Sequence, residues 1–396
     1  MPAAVLLTVF FLFAASARAD DLHLIRVGDF WRYFKGVNEP GSPLGAWRLP
    51  EFDDRNWPLG LSGFSTLTYT SANTPEATAL QDFGLGYNTV YFRKDFIVAQ
   101  PASLAALLLR IDYDDGFIAY LNGREVARRG IAGTADEPLA AGSLAANHPR
   151  GPTEEIDVSH ALPLLRTGTN LLAIQVLGSS PADYSFAFIA ELAGNFTRGP
   201  YLQNTTSNST QIIWKTLTPA LAFIDLRTNR LAASNRIAID AGETNHVATL
   251  TGLLPDTAYE YRAGALLNGR EALADWHPFR TFKPSGPITF AVIGDSGWGG
   301  PAQYNIAAQM RQAAPELIMH LGDLIYYAFT RYAADFRCLS VYADQLSSTP
   351  MYVSLGNHEM YIDRAAALET FYLPTNNLSG AENFYSFDHG EVHFSV

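Results

Sequence analysis

The last third of the chain carries three short apolar runs, each closed by a glycine and then an oxygen-donor side chain. They are Ile288-Thr-Phe-Ala-Val-Ile-Gly-Asp295, Leu317-Ile-Met-His-Leu-Gly-Asp323 and Met351-Tyr-Val-Ser-Leu-Gly-Asn357, and the third continues into His358 and Glu359. Runs this short and rich in branched side chains predict buried strands. The connecting segments are long enough for helical crossovers at about 30 residues per strand-to-strand unit, which makes the sheet parallel. In an open parallel sheet the carboxyl ends of the strands lie along one edge, so Asp295, Asp323 and Asn357 are expected to meet there. The glycine before each is expected to let the backbone turn sharply and approach a neighbour. Hard oxygen donors gathered at one edge suit a divalent or trivalent cation, and neighbouring carboxylates repel without one. Gly-Asp and Gly-Asn are also common turn dipeptides. Three in register, the last followed by His and Glu, favour a metal site over three unrelated turns.

The order Gly294-Asp295-Ser296-Gly297, Gly322-Asp323-Leu324-Ile325-Tyr326 and Gly356-Asn357-His358-Glu359 resembles the calcineurin-like metallophosphoesterases, and within them the purple acid phosphatases. The wider superfamily places a metal-binding His where this chain has Gly297, and the chain instead carries a tyrosine three residues after Asp323. The resemblance implies that Asp295, Asp323 and Tyr326 bind a ferric ion and that Asp323 bridges to a divalent partner, Fe2+, Zn2+ or Mn2+, held by the amide oxygen of Asn357. It implies that His358 contacts the phosphoryl oxygens or protonates the leaving group. In a two-metal site of this kind one cation lowers the pKa of a bound water, and the pair holds the phosphorus oxygens for in-line attack. Tyr327 is a register rival of Tyr326, and the spacing favours Tyr326.

The family requires three further His ligands, and no matching motif follows Glu359. The chain runs through Asn383-Phe-Tyr-Ser-Phe-Asp-His389-Gly-Glu-Val-His393 to Val396, which resembles a hairpin opening the second half of such a domain. The expectation is a C-terminally truncated catalytic domain with about half of its ligands and an apolar sheet edge prone to association. His389 and His393 lie in a turn and an alternating strand, where a structural role fits better than ligation. His320, inside the second strand, reads as a packed core histidine.

Composition bounds the partners. The chain has 396 residues, 48% hydrophobic and 12% aromatic, which describes folded protein long enough for two or three domains. A formal net charge of −12 argues against nucleic acid as a partner. A small phosphate ester can still bind where cations dominate the local field. Residues Met1–Ala19 have an apolar centre and end Ala17-Arg18-Ala19, the pattern of a cleaved export signal. The run is too short for a stable membrane anchor, so a secreted or periplasmic location is expected. Cys338 is the only cysteine, which excludes an intrachain disulfide, and its apolar neighbours read as the setting of a buried thiol.

The first two-thirds alternate in the manner of β-structure. Thr89–Val98 and Ala106–Asp112 are predicted strands, and Phe117–Val126 is a predicted hairpin turning on Asn122-Gly123. Trp47, Phe52–Trp57, Asp114–Gly123 and Gly168–Ile174 together resemble galactose-binding-like jelly-roll β-sandwich domains, which implies a carbohydrate partner or a packing module over residues 20–195. Asp112, Asp114 and Asp115 read equally as calcium ligands and as a solvated turn. Gln211-Ile-Ile-Trp-Lys215 and the segment ending Tyr259-Glu-Tyr261 resemble a fibronectin type III-like β-sandwich, the N-terminal domain of purple acid phosphatases, over residues 196–284. Tyr259 and Tyr261 read as core and corner residues. Residues 285–396 would then be the incomplete α/β catalytic domain.

The resulting expectation is a secreted, metal-dependent acid phosphatase acting on phosphate monoesters. Two alternatives stand beside it: a phosphodiesterase or nucleotidase of the same superfamily, and a carbohydrate-binding surface protein with an inactive phosphatase tail.

Overall fold

The computed structural model describes residues 23–66, 78–151, 153–326, 329, 331–361 and 364–396. The expected export signal, Met1–Ala19, and Tyr327 lie outside them. No helix among the described residues is long and apolar enough to cross a membrane.

Thr89–Val98 and Gly168–Leu177, two ten-residue strands rich in buried apolar residues, pair antiparallel over their whole length. They form the middle of a six-stranded sheet with Phe30–Lys35 and Leu59–Leu61 on one side and Gly116–Leu121 and Arg124–Arg129 on the other. Asn122 and Gly123 take φ of 49° and 89°, the left-handed pair that a tight hairpin turn requires. A second six-stranded sheet, built around Leu107–Tyr113 and Ala187–Gly194, faces the first across one shared core. Trp31 from one sheet meets Phe188 from the other edge-on at 5.6 Å, and Phe92 stacks on Phe188 at 4.1 Å. The first region is thus a two-layer β-sandwich with an aromatic interior.

The strands after Arg198 form one continuous hydrogen-bonded sheet of six, rather than two separate sheets. Its long strand Ser209–Arg227 pairs with Arg198–Gln203 through its first part and with Ala258–Leu267 through its second. Register breaks between Lys215 and Ala222 bend it, as bulges do, so that the sheet curls over Trp214 and Tyr261. The Tyr259 hydroxyl accepts the Leu254 N–H at 2.9 Å, pinning the preceding corner.

The final region is a three-stranded parallel sheet in the order Phe290–Ile293, Leu317–His320, Met351–Val353, with the helix Pro301–Ala313 as the first crossover. The middle and last strands are buried throughout. The first is not: Phe290 is 42% exposed and Val292 51%, although the other edge strand, Met351–Val353, is covered. The crossover helix buries Gln303, Ala307 and Met310 while Ile306 faces outward.

This sheet is seated on the curled one by hydrogen bonds from buried rings and amides. Tyr201 donates to Thr370 O at 2.7 Å, Gln203 to Met351 O at 3.0 Å, Tyr261 to Ser347 O at 2.8 Å and Tyr352 to Thr205 O at 2.6 Å. Each satisfies a polar group that burial would otherwise strand.

Candidate metal centre

The three loops that follow the parallel strands are laced together before any side chain reaches outward. Asp295 N donates to Gly322 O, Ser296 N to Asp323 O and Tyr326 N to Gly297 O, joining the first loop to the second. Glu359 joins the second to the third. Its carboxylate is fully buried and accepts the N–H groups of Asp323 at 2.9 Å, Leu324 at 2.7 Å and Gly356 at 2.8 Å. Burial pushes this carboxyl upward, and the three amides hold it back.

The sharp turns are made by the aspartates themselves. Asp295 and Asp323 both have φ of 52°, a left-handed conformation that Asp tolerates better than most residues and that concentrates at functional sites. The expected sharp turn at the preceding glycines is therefore corrected at two of the three positions, since Gly294 is not left-handed and Gly356 has φ of −87°. Gly356 is required for space: a Cβ there would stand 2.2 Å from Asp323 Oδ1. Gly297 is tighter still, its Cβ falling 1.8 Å from Leu324 O, so no side chain has room there.

Of the sequence-predicted residues, the structure brings Asp295, Asp323 and Tyr326 together. The Tyr326 hydroxyl donates to Asp295 Oδ1 and lies 3.2 Å from Asp323 Oδ2. Burial first, then the bond to Asp295 and the two negative charges, push this phenol upward. His358 stands beside them: its backbone N–H donates to Asp323 Oδ1 at 3.0 Å, and its ring lies 4.3 Å from that of Tyr326. Asn357 lies at the same edge but is exposed, and its amide Nδ2 donates to Tyr361 Oη at 2.7 Å rather than facing Asp323 or Tyr326.

Among the described residues no three His, Cys, Asp or Glu side chains gather in a metal-binding group. The cluster present is instead two carboxylates and a phenol, and its chemistry fits a hard cation. Neighbouring carboxylates attract a positive charge, and here the Tyr326 hydroxyl bridges them as a hydrogen-bond donor. A cation held by all three oxygens would replace the hydroxyl proton. The fit at Asn357 is looser, since its exposed amide is engaged by Tyr361.

The remaining histidines serve elsewhere. His320 is fully buried, with Nε2 2.8 Å from Ser296 Oγ, and burial pushes it down to about 4. His389 stacks on Phe282 at 4.0 Å and bonds Glu316 at 3.0 Å, while His393 pairs with Asp388 at 2.6 Å. Neither is drawn to the carboxylates. Two features escaped the sequence: the clamp made by Glu359, and Trp298, whose indole stacks on Tyr326 at 4.8 Å. A Trp inside the Gly-rich turn after Asp295 was the available signal for the second.

Residues 288–394 match the family model described as calcineurin-like phosphoesterase. Purple acid phosphatase 15 of Arabidopsis thaliana is 26% identical over 263 residues, 56% of this chain and 48% of that relative. The chain thus spans about half the length of the curated relative it matches. Among solved structures, purple acid phosphatase PPD1 from yellow lupin (Lupinus luteus) seeds is similar with a TM-score of 0.46 at 15% identity, over 84% of this chain and 66% of that one. The structure of PhoD is similar with a TM-score of 0.40 at 15% identity, over 51% of each chain.

Proposed function

We propose that the chain is an exported phosphomonoesterase of the purple acid phosphatase kind, acting on small phosphate esters. One observation carries this: Asp295, Asp323 and the Tyr326 hydroxyl, which are separated in sequence, meet at the carboxyl edge of a parallel sheet. Asp295, Asp323 and Tyr326 would hold a ferric ion, with Asp323 shared toward a divalent ion that Asn357 also binds. Bound there, the cations would supply Lewis-acid stabilisation to a phosphoryl group.

The chain's own residues do the rest. The backbone lacing through Glu359 fixes the separation of the second and third loops, so the donor oxygens are preorganised. His358, at the rim beside Tyr326, delivers a proton to the oxygen of the departing alcohol. The same proposal divides the chain into a removed signal at 1–19, a galactose-binding-like sandwich at 20–195 offering a carbohydrate site, a fibronectin type III-like module at 196–284 and the catalytic region from 285.

The test is hydrolysis of an aryl phosphate monoester against its diester by the metal-supplied chain. His358→Ala should lower kcat on the monoester by about 10²–10⁴-fold and leave metal content unchanged. Cleavage confined to the diester would overturn the substrate assignment, and an unchanged kcat would remove His358 from the chemistry.

A further inference from the structure

We propose that Trp298 is a positioning residue that fixes the Tyr326 phenol over Asp295 and Asp323; this deepens the assignment of Tyr326 as a ligand and rests on it. The indole and phenol are stacked, 4.8 Å apart and 10° from parallel, while His358 meets the same phenol at 4.3 Å and 56°. Packing of the interior does not account for the stack. Trp298 is 36% exposed, and neither ring belongs to the buried core of this region.

The backbone beneath the two rings is built to hold them in place. Trp298 N donates to Ser296 O at 2.9 Å, closing a tight turn directly after Asp295. Gly299 N donates to the side chain of Gln303 at 2.7 Å, and Gln303 Nε2 donates to Arg337 O at 2.6 Å. The Arg337 guanidinium in turn donates to Tyr326 O. Gln303 and Arg337 are both buried, so an interior relay ties the loop bearing Trp298 to the backbone bearing Tyr326. A phenol oxygen lies at the end of a side chain with two rotatable bonds, and small rotations carry it out of reach of both carboxylates. A donor is useful only when held within about 0.5 Å and 10–20° of its working position. The stack on Trp298 supplies that restraint on a partly exposed ring.

The test supplies Fe3+, as its citrate complex, to the full chain and reads the visible phenolate-to-iron absorption band, which Tyr326→Phe should abolish. Trp298→Leu and Trp298→Gln should weaken Fe3+ binding about three- to tenfold in competition with citrate, the size expected for one stacked aromatic pair. They should also shift the band, while Trp298→Phe stays within about twofold of the parent, since it keeps an aromatic face. Metal-free emission gives a second readout: the difference between the parent and Trp298→Phe should change on Tyr326→Leu and persist on Tyr326→Phe. A band at full affinity in both non-aromatic variants would overturn the role of Trp298 alone. Absence of the band from the parent chain would overturn the ligand assignment and this proposal with it. Non-aromatic variants that both fail to fold, by far-UV dichroism, would make Trp298 structural and overturn the positioning role.

Discussion

Two strand ends in this molecule are crowded with aspartates, and they resolve the crowding in opposite ways. At the end of Leu107–Tyr113 in the sandwich, Asp112 is paired with Arg150 at 3.0 Å. Asp115 accepts the N–H groups of His148 at 2.9 Å and Ser179 at 2.7 Å. Asp114 is pushed up to about 6, by burial and then by the charge of Asp115. Of the trio that read equally as calcium ligands and as a turn, Asp112 is thus taken up by a guanidinium and Asp115 by backbone amides. At the ends of the parallel strands, Asp295 and Asp323 have no ion pair among the described residues and share one phenol proton. Carboxylates satisfied by the fold stabilise it; carboxylates turned toward one another in a left-handed conformation remain available to a cation.

The largest effect expected from this contrast is on activity. Asp323→Asn should reduce kcat/KM on an aryl phosphate by about 10³-fold, since one charged donor to the reacting centre is lost. Its stability should hold or rise, because Asn tolerates the left-handed φ and the repulsion from Asp295 is relieved. Asp112→Asn should do the reverse, keeping activity while losing about 1–3 kcal/mol as Arg150 gives up its partner. Urea unfolding and steady-state kinetics on both variants decide it; equal losses of activity would erase the distinction between the two sites.

Glu359 sharpens the comparison, because it is a buried carboxylate with a purely organising task. Glu359→Ala would strand three amides that now share one acceptor, at a cost of about 3 kcal/mol or more. Activity and stability should fall together, unlike in Asp323→Asn. Glu359→Gln should recover part of the stability, since the amide keeps one acceptor oxygen. A fully stable Glu359→Ala variant would show that the loops are held by other means.

A pH titration reaches the same region from below. Burial holds His320 neutral and lowers it from 6.5 to about 4. The unfolded chain therefore binds more protons than the folded one between these values, so stability must fall as pH drops from 6.5 and level off near 4. The loss attributable to this residue is at most about 3 kcal/mol. His246, beneath Trp214 in the curled sheet, is lowered to about 4 for the same reason. His320→Gln should flatten about half of the acid slope in urea midpoints, and an unchanged slope would mean that His320 is hydrated in solution.

The parts of this architecture that follow from local pattern were legible in the sequence. The Asn122-Gly123 turn states its geometry within two residues, and the three apolar runs closed by Gly-Asp or Gly-Asn state the parallel strands, though not the conformation of their turns. The meeting of Asp295 and Asp323 followed from the parallel topology, which also placed Asn357 at that edge, whereas Tyr326 was read from the family resemblance alone. What stayed hidden depends on long-range partners. Nothing near Gly297 announces that Leu324 O will stand against it, and nothing near Arg337 announces that its guanidinium will reach the Tyr326 carbonyl. The exposure of Phe290–Ile293 was hidden as well, since a strand's apolar content does not reveal whether a neighbour covers it.

That edge strand sets the smallest of the expected effects. Val292 is 51% exposed, whereas Val176, in the middle of the sandwich, is fully buried. An open edge offers unpaired N–H and C=O groups to other chains, and a lysine on it discourages such pairing. Val292→Lys should change folding stability by no more than about 0.5 kcal/mol, as surface substitutions do, while lowering association measured by light scattering. Val176→Lys should prevent folding, because it places a charge inside an aromatic core without a partner. If Val292→Lys instead lost 2 kcal/mol or more, the face of the edge strand would have to be covered in solution, and the open edge would be closed by contacts beyond those described.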